Sequence, residues 1–457
     1  MPVSFRDPAG TLQDDGDRIW RTVHSKHVAK TLTFLASRLY TELTRDGLLI
    51  PVIARQPAAD GSLRLEHPRV AIPSYPFEWS VAQLAAAGEL TLEIQRRAWA
   101  DGYTLKDASA FNVLFIGSKP VLCDLLSLEV RNSAPGMGWH AYGQFVRHYL
   151  LPLIAAREQG RTPRDIFLAH RDGLRALDLL AHMPWHRYWG LDSLLHFRIP
   201  GWLETRRTGR TPAAPRIESA RAVRDSTPWL LNSLGRSMRR LGRATTAKTS
   251  WGNYVDNRDH YEAAALERKR TILRDLLQTL KPAKVLDLGA NTGEFSRLAI
   301  EAGAEVVAID EDVGALDRLQ RQATAEALPL QAIHANFARP TPPTGWRLGE
   351  TLSLRDRLNG RFDAVLMLAV AHHLAVTERL PLAQVFEEIS TLCTGHVLVE
   401  FVSRQDPRFV ELAGPNLGLF EDWSSEQFVE AARPYFELRS THEISAHRRL
   451  LLLRRTP

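Results

Sequence analysis

The run Asp287-Leu288-Gly289-Ala290-Asn291-Thr292-Gly293 follows a short apolar stretch and opens a helical one. Glycines there allow a tight turn and bring the bare backbone close to a ligand. A dinucleotide fingerprint would need glycine where Asn291 and Glu294 stand, and no Gly-Lys-Ser/Thr follows to make a phosphate loop. Asp310 lies 21 residues beyond Gly289, at the end of the next apolar run, where a carboxylate can accept both hydroxyls of a ribose. Further on, Leu368-Ala369-Val370-Ala371-His372-His373-Leu374 places two imidazoles where a strand should end. Either could take a proton from a hydroxyl or amine near neutral pH. Equally, one could cap the loop while the other is buried and structural. No partner at helical spacing makes them a metal site.

Alternating strands and helices must position these groups. Val285–Leu288, Glu305–Ile309, Leu330–Ile333, Phe362–Leu368 and His396–Val402 read as strands, with helices over Glu294–Ala302, Val313–Ala327 and Pro381–Leu392. Such alternation predicts an α/β fold with an open, mostly parallel sheet covered by helices on both faces. Ligands bind such sheets at the carboxyl ends of the strands, where these motifs fall.

The Asp287–Gly293 turn with Asp310 resembles the first two motifs of class I S-adenosylmethionine-dependent methyltransferases. The resemblance implies a Rossmann-like sheet and S-adenosylmethionine as cofactor. Asp287, Gly289, Asn291 and Gly293 would face its methionine end, Asp310 its ribose, and Asn336 with Phe337 its adenine. His372 and His373 would lie beside the acceptor, and the His-His-Leu ending recurs among methyltransferases acting on small molecules. Trp251-Gly252-Asn253-Tyr254, Gly345-Trp346 with Glu350, and Glu400-Phe401-Val402 with Asp406-Pro407 are similar to a methyltransferase-like family that includes a rhizobial host-specific nodulation protein. The implied acceptor is a small molecule or a glycan-type hydroxyl. Glu400, ending an apolar strand, is a second-tier site candidate or else a satisfied interior carboxylate.

In the N-terminal half, Asp107-Ala108-Ser109-Ala110-Phe111-Asn112 precedes the strand Val113–Ile116, a Gly117-Ser118 turn and the strand Val121–Cys123, which ends in Asp124. Helix Glu89–Tyr103 and strand Val70–Tyr75 are expected upstream, with Lys26 and Lys30 at the start of another helix. This spacing resembles the catalytic segment of protein-kinase-like and aminoglycoside-kinase-like folds. It would make Asp107 the base and set Asn112 and Asp124 on magnesium with ATP. Leu105 and Lys106 depart from the usual His and Arg, no glycine follows Asp124-Leu125, and no strand lysine stands out. An α+β domain, kinase-like with degenerate chemistry or simply accessory, is therefore expected. A bifunctional kinase–methyltransferase acting on a sugar or its phosphate is one alternative, and an RNA methyltransferase is the other.

The chain has 457 residues, 44% hydrophobic and 24% charged, which fits two or three globular domains. Its net charge of +6 is concentrated: residues 206–248 carry eleven Arg and Lys against Glu218 and Asp225. A tract like this can bind RNA, but a solvated linker is the commoner outcome. The expected division is 1–205 as the accessory domain, 206–228 as a basic linker and 229–457 as the methyltransferase domain. Residues 229–241 form a short amphipathic segment free to pack on either neighbour. Two cysteines cannot build a disulfide framework, and the apolar stretches are too short to span a membrane, so a cytoplasmic protein is expected.

Overall fold

The computed structural model describes residues 2–4, 6–16, 18–131, 138–183, 196, 198, 220–243 and 260–456. They form two units: residues 1–247 with 345–351, and residues 248–344 with 352–457. The Trp251–Tyr254 motif and residues 206–219 of the expected linker lie outside the described residues. No described helix is long and apolar enough to cross a membrane.

The first unit opens with an antiparallel sheet of β1 (Pro2–Ser4), β2 (Gly10–Asp14), β3 (Ile19–Val23), β4 (Ala54–Pro57) and β5 (Leu63–His67), in the order β1-β2-β3-β5-β4. Between β3 and β4 run the helices Ser25–Leu35 and Arg38–Arg45. A long helix, Val81–Ala100, is started by a capping box between Ser80 and Gln83 and is buried along most of its length. Two short pairs follow: β6 (Tyr103–Leu105) with β9 (Leu128–Val130), and β7 (Val113–Ile116) with β8 (Lys119–Leu122). Gly117 takes φ +58° in the β7–β8 turn, a conformation that glycine adopts without strain. The expected strand at Val70–Tyr75 does not form. Pro73 has no N–H for a ladder, and the strand ends instead at His67, just before Pro68.

The second unit holds a seven-stranded sheet in the order β12-β11-β10-β13-β14-β16-β15. Its strands are β10 (Lys284–Leu288), β11 (Glu305–Asp310), β12 (Leu330–His334), β13 (Phe362–Met367), β14 (Cys393–Val402), β15 (Phe436–Ser445) and β16 (Arg448–Arg455). The first five are parallel, and β16 pairs antiparallel with β14. Continuous apolar runs such as Val285-Leu286 and Val365-Leu366-Met367 are buried on both faces, as a parallel sheet covered by helices requires. Strand order reverses between β10 and β13, so a crevice is expected outside their carboxyl ends.

Helix Ala220–Gly242 departs from the expected division. The sequence reading set a linker at 206–228 and opened the catalytic domain at 229, whereas this helix belongs to the first unit. Pro228 suggested a break in the sequence, yet it sits inside the helix. Burial of Leu231, Leu234, Met238 and Leu241 outweighs its effect. A Cβ on Gly242 would come within 2.5 Å of Ala85 Cβ, and one on Gly88 within 3.0 Å of Met238 Sδ, so this helix and Val81–Ala100 are in close contact. Arg236, Arg239, Arg240 and Arg243 are exposed. The basic tract is thus in part the polar face of an amphipathic helix. Leu234→Ala should destabilise the first unit by about 2–5 kcal/mol. In calorimetric unfolding, its transition should move down while that of the second unit stays in place.

Candidate functional site

The turn after β10 carries the donor-side motif. Gly289 (φ +69°), Asn291 (φ +49°) and Gly293 (φ +81°) are all left-handed, and Gly293 leads into the helix Glu294–Glu301. A Cβ on Gly293 would stand 2.3 Å from Leu319 Cδ1. One on Gly289 would stand 2.5 Å from Val370 Cγ2. Both glycines hold left-handed backbone that side chains rarely adopt, and a Cβ at either would also press on the end of a neighbouring side chain.

Two carboxylates border this turn. Asp287, at 2% exposure, accepts a hydrogen bond from Ser296 Oγ at 2.6 Å. Burial pushes its pKa up to about 7, against the pull of the Ser296 bond and of Lys269, with Asp310 adding repulsion. Asp310, ending β11, accepts from the backbone N–H of Asn291 at 2.7 Å and of Asp312 at 2.8 Å. Burial raises Asp310 to about 6 despite those two bonds. The Asn291 side-chain Oδ1 is buried with no hydrogen-bond partner among the described residues. An orphaned acceptor beside two strained carboxylates suits a cationic ligand bearing N–H and O–H donors. S-adenosylmethionine, with its ammonium, sulfonium and ribose hydroxyls, fits that set.

Asn336 and Phe337 follow β12 and are both half-buried. The Asn336 amide donates to Glu311 Oε2 at 2.5 Å and to Glu378 Oε1 at 3.3 Å, so its N–H groups face carboxylates. Glu311 sits next to Asp310 in the chain and also acts electrostatically on His373. The sequence reading missed Glu311, because a carboxylate directly after a ribose-type Asp has no spacing rule of its own.

On the other side of the switch point, His372 and His373 lie on the helix Ala371–Val376, with ring centroids 4.3 Å apart. His372 is 3% exposed, and its Nδ1 has no hydrogen-bond partner among the described residues. Burial, His373 and the cations Arg448 and Lys269 hold it well below the usual imidazole range. His373 is half-buried; burial lowers it too, but the Glu311 carboxylate opposes the shift. Both rings are therefore neutral near pH 7.

Beneath them runs an ion network that the motifs only touched. Lys269, on the helix His260–Leu280, binds Glu400 Oε2 at 2.5 Å and sits 4.3 Å over the Phe295 ring. Arg448 reaches Glu400 Oε1 at 3.3 Å and clamps Asp406 with contacts of 2.7 and 3.1 Å. Burial alone would raise Glu400; Lys269 and Arg448 outweigh it and hold the carboxyl below its usual range. Glu400 is accordingly a satisfied interior carboxylate. Lys269 and Arg448 had no motif to betray them, being separated from Glu400 by 131 and 48 residues. Glu400→Gln would leave the buried Lys269 short of its counter-ion, while Arg448 keeps Asp406, and should cost about 3–5 kcal/mol, read as a lower Tm of the second unit. Glu350 is placed elsewhere: it lies in the first unit, ion-paired to Arg6 at 2.7 Å and to Arg171.

Residues 259–448 match the methyltransferase domain family. Over 98% of its length the chain is 29% identical to nodulation protein NoeA of Rhizobium meliloti (strain 1021), covering 94% of that protein. Among solved structures, magnesium protoporphyrin IX methyltransferase (ChlM) from Synechocystis PCC 6803 aligns at 15% identity over 44% of this chain and 89% of that one, with a TM-score of 0.31. The bifunctional kinase-methyltransferase WbdD aligns at 16% identity over 46% of this chain and 42% of that one, with a TM-score of 0.30. With that domain match on that sheet, the second unit of this chain is a class I S-adenosylmethionine-dependent methyltransferase domain.

Proposed function

We propose that this methyltransferase acts on a hydroxyl of a small-molecule or glycan-type acceptor, with the first unit contributing to acceptor recognition. The observation that carries the placement of the reaction is the contact between Gly289 and Val370. It sets the donor turn after β10 directly against the segment that leads into His372 and His373. Donor and acceptor chemistry then share one crevice, and alignment of the two does most of the catalytic work. The choice of a small acceptor rests on the His-His-Leu ending and its resemblance to small-molecule methyltransferases.

Bound S-adenosylmethionine supplies an electrophilic methyl group. Asp287 and the Asn291 Oδ1 would hold its methionine end, and Asp310 its ribose. Asn336 is assigned to the adenine edge with Phe337 against the ring, its amide having to turn from Glu311 or Glu378 to do so. His373 is the better proton acceptor of the pair. It is more accessible than His372, and Glu311 offsets the positive charge it would acquire. His372, packed against Phe409 at 6.3 Å, would form the wall that orients it.

Three measurements test this. Titration of the full chain with S-adenosylmethionine should show saturable binding that weakens at least about tenfold in Asp310→Ala; unchanged affinity in a folded variant would remove Asp310 from the site. Because the pKa values of Asp287 and Asp310 are raised to about 7 and 6, both take up protons as the pH falls through that window. Donor affinity should therefore drop about tenfold or more between pH 8 and pH 6 and level off above pH 8. Transfer of a labelled methyl group to a panel of glycans, small alcohols and RNA identifies the acceptor. Methylated alcohol or glycan is expected, with kcat reduced far more by His373→Ala than by His372→Ala. Labelled RNA, with binding that falls steeply with salt, would replace this proposal by a nucleic-acid one.

A further inference from the structure

The loop between β6 and β7 bears Asp107 and Asn112, and the segment after β8 bears Asp124, as a kinase-like half requires. Backbone contacts fix the loop: Ala108 N–H donates to Gln144 Oε1 at 2.8 Å, and Ala110 N–H to His148 Nδ1 at 3.2 Å. In phosphoryl transfer of that type, a third-strand lysine meets the phosphates, while the Asp and Asn carry magnesium. Here the third strand offers Arg21. Its Nη1 stands 2.8 Å from Asp124 Oδ1, and its Nη2 donates to the Cys123 carbonyl at 3.2 Å. The other oxygen, Asp124 Oδ2, accepts from Ser127 Oγ at 2.5 Å, and Ser127 Oγ accepts in turn from Asn112 Nδ2 at 3.3 Å. Leu126 N–H also donates to Asp124 Oδ1, at 3.2 Å. Both oxygens of Asp124, and the Nδ2 of Asn112, are engaged within the chain.

The Arg21 and Asp124 side chains are 8% and 14% exposed. A guanidinium cannot lose its charge, so a divalent ion brought to Asp124 would face it across a few ångströms with little water between. No cluster of three His, Cys, Asp or Glu that could hold a metal occurs among the described residues. The neighbouring cations are neutralised as well: Arg171 lies 5.1 Å over Phe111 and pairs with Glu350, and Lys106 pairs with Asp7 at 3.5 Å.

We propose that the Arg21 guanidinium occupies the place of the divalent cation, so that Asp124 is its counter-ion and the first unit binds neither magnesium nor a magnesium–nucleotide complex. The kinase-like order of elements is kept while the phosphate-handling metal is replaced by a permanent internal charge.

Calorimetry on the full-length protein, with magnesium chloride alone and with ATP in the presence and absence of magnesium, tests the first part. No magnesium-dependent heat is expected. Magnesium-dependent ATP binding that Asp124→Ala removes would overturn the proposal. Stability tests the second part. As a counter-ion, Asp124 leaves a buried charge behind when removed, so Asp124→Ala should lower the Tm of the first unit on the order of 10 °C. Restoring apolar packing on both sides, in Arg21→Met with Asp124→Leu, should recover most of that loss. A Tm unchanged or raised in Asp124→Ala would show that Asp124 is not the counter-ion Arg21 needs, and that result would also overturn the proposal. If Asp124→Ala fails to fold, the double variant still decides: a stable fold supports the ion pair, and failure of both counts against it. S-adenosylmethionine binding by the second unit should persist in every folded variant, which separates this test from the methyltransferase assignment.

Discussion

Two carboxylates buried at the ends of adjacent parallel strands set the terms for the second unit. Burial raises the proton affinity of both, the Asp310 charge adds to it at Asp287, and the charges of Asp312 and Glu311 add to it at Asp310. An arrangement like this costs stability in the unliganded fold, and proteins retain such strain mainly where a ligand relieves it. The surroundings limit the cost without removing it. Ser296 donates to Asp287, the backbone of Asn291 and Asp312 donates to Asp310, and Lys269 lends its field from the Glu400 network. What remains is a net demand for positive charge at the carboxyl ends of β10 and β11.

The two units handle buried charge in opposite ways. In the second, Asp287 and Asp310 are left partly uncompensated where the strand order reverses. In the first, Arg21, Asp124, Ser127 and Asn112 bond to one another in a chain, although the buried Arg21 Nε has no hydrogen-bond partner among the described residues. Similar residue types therefore serve binding in one place and cohesion in the other. Arginine is well suited to the second task, since its planar fork meets several acceptors at once and its charge does not depend on pH. The chain's cations are mostly arginine, with lysine at only 8 of 58 positions. Lys269 stands out against that background. It is a compact ammonium held between Glu400 and the face of Phe295.

Local pattern made the sheet legible. The parallel strands are mostly buried apolar runs bounded by turns, so β10 to β14 and the helices Glu294–Glu301, Val313–Ala325 and Leu382–Leu392 follow from composition and period, whereas the short helices Leu354–Leu358 and Ala371–Val376 do not. The glycine turn and Asp310 were legible because each answers to a fixed distance along the chain. The closing hairpin β15–β16 was not, since β15 alternates exposed and half-buried residues at an edge and reads as loop. Helix Ala220–Gly242 was obscured by Pro228 and by its arginines, although Leu231, Leu234, Met238 and Leu241 keep a helical period. The ion networks were invisible for a different reason. Arg21 meets Asp124 across 103 residues, and only the folded chain supplies that distance.

The first unit takes residues 345–351 from far along the chain, with Glu350 between Arg6 and Arg171. A chain emerging from the ribosome therefore cannot complete this unit when residue 247 appears. About 100 further residues, which include β10, β11 and β12, must be made first, a delay on the order of 5–20 s at ordinary elongation rates. During that interval Arg6 and Arg171 lack their carboxylate, and the N-terminal half waits on its successor. Synthesis order and folding order are thus interleaved. A chain cut after residue 247 would carry every strand of the first unit and still lack a piece of it.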